Sequence, residues 1–312
     1  MWRSRAFWLE VAPDMHCCGA GCEGEDGALA AAPDLRRRLA VDGFATVPGD
    51  ARCAALAARC ADAVERLAAR RLPPICVLAY DEAWALIRRH AAACRAALPE
   101  ATLNYDCYAW RVPYGARGWA AHRDRAGCPA ARDGAPAYAT VWVALTDVGP
   151  ETACVWAAPL SEAPTDSENP IDLERRARGA AVPLRLARGA AAIWGGRTVH
   201  WGGEHAAKEA AEAAPARVSL AFALSTPAMA DDDARRSVVR AWSRGGDAPD
   251  DLDARLRLIA LQLHFYTDAA PLDAHVEAAL DDLDAAWAAE AEAPEADDAD
   301  PPRRKKRRRA PE

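Results

Sequence analysis

His122 and Asp124 form a His-x-Asp pair, and a second histidine, His200, follows 78 residues later as a candidate third ligand. On an extended segment, side chains at i and i+2 fall on the same side. An imidazole nitrogen and a carboxylate oxygen from the stretch Trp119–Asp124 therefore converge on one point. One more histidine from a neighbouring strand completes a three-ligand face. Two histidines and one carboxylate with open positions beyond them are the donor set of non-haem Fe(II) oxygenases. A His-x-Asp alone is weak evidence, because these residues also meet in turns. The long gap to His200, filled with strand-like segments, is what allows the two ends to lie together. The competing reading is a surface His-Asp pair and a turn histidine with no metal.

The second group is Arg217-Val218-Ser219. Arg217 and Ser219 face the same way on a strand, and a guanidinium fork beside a hydroxyl suits a carboxylate held at two points. The distal carboxylate of 2-oxoglutarate has this requirement, while its keto-acid end chelates iron. The competing reading is a barrel arginine paired with a structural acid. Asn104, Tyr108 and Trp110 are further candidates, expected on one strand face, with Trp201 as a possible wall. For the aromatics, ordinary core packing is the alternative. His205 sits in a charged insertion and is expected in solvent, whereas His90 is expected on a helix face.

These groups need a scaffold of strands, and the chain supplies one. Asp34–Ala40 reads as a short helix before a Gly43 turn into a strand closed by Pro48. Asp50 is an N-cap for a helix over Ala51–Arg71, with Leu56, Val64 and Leu67 as its stripe. Asp81, again a cap candidate, opens a helix running to Leu98. Strand character follows over Thr102–Val112, Tyr138–Asp147, Ala153–Ala158, Val182–Leu186, Ala190–Trp194 and Ala216–Ser225, with His200 ending another strand. Ser161–Asn169 reads as a polar loop, and helices are expected over Asp231–Arg244, Asp251–Leu263 and Leu272–Ala289. The fold class expected is mainly β with flanking helices: a double-stranded β-helix (jelly roll, cupin-like) core plus N-terminal and C-terminal α-helices. The expected division is a loosely ordered segment 1–33, a jelly-roll domain 34–230, a helical extension 231–289 and a disordered tail 290–312.

The ordered set of motifs resembles the phytanoyl-CoA dioxygenase-like family of Fe(II)/2-oxoglutarate oxygenases. Asp42-Gly43-Phe44 looks like the family's opening, and His122-Arg123-Asp124 matches its metal pair. Thr140–Asp147 and Thr152–Ser161 look like its core strands, and Arg188–Trp194 like the strand before the distal histidine. The resemblance covers about residues 38–227. The chain departs from the family at Pro159-Leu160-Ser161-Glu162, at Gly189-Ala190, and in placing Arg217 17 residues beyond His200. None of these removes a ligand. The resemblance implies Fe(II), 2-oxoglutarate and O₂ as cofactors, with hydroxylation of a substrate C–H bond and release of succinate and CO₂. It also implies that a side chain near Asn104 or Tyr108 touches the cosubstrate. Asp124 is retained, which argues against the halogenating variant, and Ala223 stands where nucleic-acid demethylases of this superfold carry a second arginine. The alternatives are a jelly-roll protein hydroxylase or demethylase of the nucleus, and a catalytically idle cupin-like binding module.

Composition narrows the classes. The 312 residues carry a net charge of −7, so specific nucleic-acid binding is not expected. No run reaches the roughly 18 apolar residues of a membrane span. The ten cysteines are scattered, as in a reduced intracellular compartment, cytoplasmic or nuclear. Cys17, Cys18 and Cys22 beside His16 could bind zinc, but no second pair follows at finger spacing; a mobile tail is the preferred reading. Arg303–Arg309 is a solid basic run after an acidic stretch, read as a nuclear-import address or polyanion contact. The partner expected is a small-molecule substrate; oligomeric state is not legible.

Overall fold

In a computed structural model of the chain, the described residues are 1–18, 29–30, 32–164, 168–206, 215–229, 249, 251–266 and 272–292. Two units are distinguished, Met1–Asp273 and Ala274–Glu312. The described part of the second is one helix, α7 (Ala274–Glu292). The expected helix over 231–244 and the basic run Arg303–Arg309 lie outside the described residues.

The framework of the first unit is a pair of antiparallel sheets. Strands β1 (Phe44–Val47), β2 (Thr102–Val112), β3 (Tyr138–Ala144), β6 (Ala191–Gly195) and β8 (Arg217–Ser225) make a five-stranded sheet in the order β1-β6-β3-β8-β2. Strands β4 (Val155–Ala157), β5 (Val182–Pro183) and β7 (His200–Gly202) make a three-stranded sheet in the order β5-β4-β7. One apolar cluster joins them, with Phe44, Trp142, Ala192 and Trp194 of the first sheet packed among Val155 and Ala157 of the second. This is the jelly-roll architecture expected. Because side chains alternate, β8 buries Val218, Leu220, Phe222 and Leu224 on one face. Its other face presents Arg217, Ser219, Ala221 and Ala223 to the space between the sheets.

Helices α3 (Ala51–Ala69) and α4 (Asp81–Arg95) lie against β8. The Asp50 carboxylate caps α3 by accepting from the Cys53 N–H at 2.8 Å, and Leu56, Val64 and Leu67 form its buried stripe. Asp81 does not cap α4: Tyr80 holds that position. Instead the Asp81 carboxylate accepts from Arg255 Nη1 (2.6 Å) and the Cys18 N–H (3.0 Å). Helix α2 (Leu35–Val41) precedes β1 as expected.

Three expectations are corrected. Residues 1–18 are not loose: α1 (Arg5–Val11) buries Trp8, and the His16 N–H donates to Glu82 of α4. The signal overlooked there was two tryptophans, Trp2 and Trp8, both buried. Second, the polar loop Ser161–Asn169 does not lead straight to the strand expected from Val182: a helix, α5 (Pro170–Ala177), intervenes, capped by Asn169 with proline in its first turn. Third, α6 (Leu252–Tyr266) belongs with the sheets, since the unit boundary falls after Asp273.

Gly118 and Gly202 let two backbones meet beside the site. A Cβ on Gly202 would lie 2.4 Å from the Gly118 Cα, and one on Gly118 would lie 2.6 Å from the Gly202 Cα. Gly202→Ala must therefore push β7 off its neighbour. Overpacking of this kind costs about 1–3 kcal/mol, which a urea melt should register.

Candidate metal centre

His122 and His200 are fixed to each other through their backbones. His122 N–H donates to the His200 carbonyl at 3.0 Å, and His200 N–H returns to the His122 carbonyl at 3.1 Å. The contact is a single bridge, not a strand pair, and His200 begins β7 where the sequence suggested a strand end. The rings sit 4.3 Å apart by centroid. One donor atom from each of His122, Asp124 and His200 falls within 4.8 Å of the others. Asp124 Oδ1 lies 3.3 Å from His122 Nε2 and 3.6 Å from His200 Nε2.

The outer contacts aim these atoms. His122 Nδ1 meets the Ala120 carbonyl at 2.7 Å, and His200 Nδ1 meets the Thr198 carbonyl at 3.1 Å. Each Nδ1 thus carries the proton, and each Nε2 lone pair points inward. Asp124 Oδ2 accepts from Thr140 Oγ1 (2.5 Å) and Trp194 Nε1 (2.8 Å), which turns Oδ1 toward the imidazoles. Burial opposes charge on Asp124, but the histidines and the Thr140 hydroxyl outweigh it and hold the carboxyl well below the usual range. Burial pushes His200 down to about 4, so its ring is neutral and free to donate a lone pair. This donor set fits a divalent transition ion with open positions on the pocket side. Removing the hydroxyl by Thr140→Val should weaken Fe(II) binding about 10- to 100-fold, read by competition with a chelating dye.

The ligands lie in a cavity of about 510 Å³. At one end is Arg217, buried, with Nη1 donating to Ser219 Oγ at 2.7 Å and its guanidinium over the Trp142 ring at 5.3 Å. Its Nε has no partner, and among the described residues no carboxylate pairs with it. Burial lowers its pKa to about 10, which still leaves it charged at neutral pH. A buried cation without an anion is the feature a dicarboxylic cosubstrate would complete.

The remaining sequence candidates divide. Tyr108, Trp110 and Trp201 line the cavity, although Trp201 also packs in a small core cluster and stacks on Trp156. Asn104 does not reach the cavity. A register shift in β2 between Leu103 and Cys107 breaks the alternation, and the Asn104 amide donates to Ser225 Oγ at 2.8 Å. Asp106 takes the place expected for it, on the face of Tyr108 and Trp110. His205 is buried, not solvated, its N–H donating to the Ala116 carbonyl. His90 is buried in α4 and meets the Gly189 carbonyl at 3.0 Å. His16, Cys17 and Cys18 do not form a metal-binding cluster among the described residues.

Sequence reasoning missed Thr140, Trp194 and Asp106. Thr140 shares a strand face with Trp142, and Asp106 shares one with Tyr108, so period-2 alternation could have found both. It also missed Tyr266 of α6, for which no local signal exists.

Residues 42–210, just over half of the chain, match the family model described as phytanoyl-CoA dioxygenase (PhyH). No curated protein matches significantly. Among solved structures, the non-haem α-ketoglutarate-dependent epimerase SnoN from nogalamycin biosynthesis is similar at 22% identity. That match covers 62% of this chain and 79% of SnoN, with a TM-score of 0.46. The non-haem monooxygenase ThoJ is similar at 21% identity, over 62% of this chain and 78% of its own, with a TM-score of 0.46. HygX from Streptomyces hygroscopicus, with nickel and 2-oxoglutarate bound, is similar at 16% identity. It covers 64% of this chain and 88% of its own, with a TM-score of 0.45.

Proposed function

The chain belongs to the phytanoyl-CoA dioxygenase family of 2-oxoglutarate-dependent non-haem iron oxygenases, and from that premise we propose that it hydroxylates a C–H bond of a small molecule. His122, Asp124 and His200 hold the Fe(II), and Arg217 with Ser219 holds the distal carboxylate of 2-oxoglutarate. Iron, 2-oxoglutarate and O₂ together supply the oxidation, leaving succinate and CO₂ as co-products.

The observation that carries this reading is the pairing of two features in one cavity: a pre-aimed His-Asp-His donor set and a buried, unpaired guanidinium. The register sets them at different levels of one sheet face. Arg217 pairs with Val112 at one end of β8, while Thr140, which holds Asp124, pairs with Ala223 six residues further along. A bidentate chelator with a second carboxylate can bridge these levels. Trp142 and Ala221, between them, form the floor over which its carbon chain would lie.

The residues divide the work. Thr140 and Trp194 hold the carboxylate ligand in one orientation. The Ala120 and Thr198 carbonyls fix the tautomers. Arg217 neutralises and orients the cosubstrate, and the aromatic wall excludes water from the remaining space. The test is aerobic incubation of the Fe(II) protein with 2-oxoglutarate and a fractionated metabolite extract. Succinate release matched by a product heavier by one oxygen supports the reading. Succinate-free incubations with full iron and 2-oxoglutarate occupancy would leave a binding module in its place.

A further inference from the structure

Helix α6 lies outside the residues that match the family model, yet its last turn is in the cavity. Phe265 and Tyr266 both line it. The Tyr266 ring meets Tyr108 at 4.7 Å, Trp110 at 6.0 Å and Trp119 at 6.1 Å, all three T-shaped or edge-on. Tyr108 and Trp110 are themselves 4.4 Å apart, and Trp110 and Trp119 5.2 Å. Four rings from three segments thus make one continuous wall, and Trp119 carries it to within 6.4 Å of the His122 ring.

Behind the wall sits Asp106. Its Oδ2 accepts from Tyr138 Oη at 2.9 Å and its Oδ1 from Tyr266 Oη at 3.3 Å, with Arg125 at 3.6 Å. Its side chain is 23% exposed, so it still faces the cavity. A carboxylate accepts about four hydrogen bonds, which leaves capacity for one more donor. Asp106 lies toward the Thr140 end of the sheet, opposite Arg217, and so toward space the cosubstrate does not need.

Charge then selects the donor. The other lining arginines have acidic partners beyond the lining: Arg111 with Glu65, Arg117 with Glu174 and Arg123 with Glu168. With the charge of Asp124 taken up by the metal, Asp106 and Arg125 offset each other in this half of the cavity, so neither a cation nor an anion gains by entering it.

We propose that the end of α6 is a wall of the substrate pocket, and that Tyr266 and Asp106 together select an uncharged, ring-bearing substrate that donates a hydroxyl to Asp106. The proposal rests on the oxygenase reading above. The ring system lies against Tyr266, Trp110 and Trp119, and the hydroxyl fixes which C–H bond faces the metal. Tyr266 is a specificity-determining residue, contributed by a segment that the family model does not include.

The test uses the full chain loaded with Fe(II) and 2-oxoglutarate without oxygen, titrated by calorimetry with four probes of one shape. These are 2-naphthol, 2-methoxynaphthalene, 2-naphthylmethylammonium and 2-naphthoate. 2-Naphthol should bind about 10-fold tighter than each of the others. Asp106→Asn should shrink its advantage over the methyl ether to less than about 3-fold without moving ether affinity. Tyr266→Ala should weaken both neutral probes about 10-fold. Tyr266→Phe keeps the ring and should keep both within about 3-fold, which separates a lost wall from a lost fold. A preference for the ammonium or the carboxylate would overturn the proposal, as would wild-type discrimination in Asp106→Asn and Tyr266→Ala. Binding of 2-oxoglutarate with no binding of any probe would also overturn it. Failure of 2-oxoglutarate to bind the wild-type protein would instead overturn the oxygenase reading, and this inference with it.

Discussion

His200→Ala should leave a folded protein that retains almost no iron and forms no succinate. Outer contacts alone are worth about 10- to 100-fold in metal affinity, so loss of one of three direct donors should exceed that range. The backbone exchange between His122 and His200 does not depend on the ring, which preserves the joint between the two segments. What is lost is packing against Trp194, whose ring sits 4.5 Å from that of His200. Far-ultraviolet circular dichroism should therefore be unchanged, while iron per chain, measured by a ferrozine assay after desalting, drops to background. His122→Ala should behave alike. Wild-type iron content and succinate production in either variant would show that the metal sits elsewhere. Asp124→Gly is a subtler case. It can keep iron through two imidazoles, but it leaves the Thr140 hydroxyl and the Trp194 N–H without their acceptor, so stability should fall along with hydroxylation.

The sequence announces this site because its chemistry is concentrated in a few residue types at fixed spacing. His122, Asp124 and His200 were legible, as was the pairing of Arg217 with Ser219 on one strand face. The strands were legible too, since β8 alternates and β2 is rich in aromatic and β-favouring residues; β2 begins and ends where that composition predicts. Asn104 fails for a specific reason. A bulge inside β2 sets three residues, Asn104 to Asp106, against the single Ala223 of β8, so alternation is lost over that stretch and Asn104 leaves the face it would otherwise share. Nothing in a stretch reading Leu-Asn-Tyr-Asp-Cys marks which residue will be extruded. His205 fails because the reading judged it by its charged neighbours, whereas tertiary packing buries it against Tyr114. Tyr266 could not be found at all: it reaches the cavity through a helix whose position is set by a buried Arg255–Asp81 pair 174 residues apart in sequence.

Arg217→Met should abolish 2-oxoglutarate binding and, in the same protein, raise the stability of the cosubstrate-free form. The two effects come from one cause. The guanidinium is 4% exposed, has an unpartnered Nε, and has no acidic neighbour among the described residues. Burying an uncompensated charge destabilises a fold, and replacing buried ionic groups by apolar ones of similar volume is often stabilising by about 1–4 kcal/mol. Methionine fills the space over Trp142 without the charge. A purely structural arginine would behave in the opposite way, since its removal would strand an acid. Arg217→Lys keeps the charge but loses the planar fork. With about 1.5–3 kcal/mol for a charge-assisted hydrogen bond, the lysine variant should bind 2-oxoglutarate roughly 10- to 150-fold more weakly. Iron content should barely change in either variant, because the guanidinium does not touch the His-Asp-His donors. Anaerobic titration of the Fe(II) protein with 2-oxoglutarate, followed by its charge-transfer absorbance, measures the affinity, and a urea melt measures the stability. If Arg217→Met bound 2-oxoglutarate as tightly as wild type, another basic group would hold the cosubstrate. If it lost stability as well as binding, the arginine would be a core element whose anion lies within the fold.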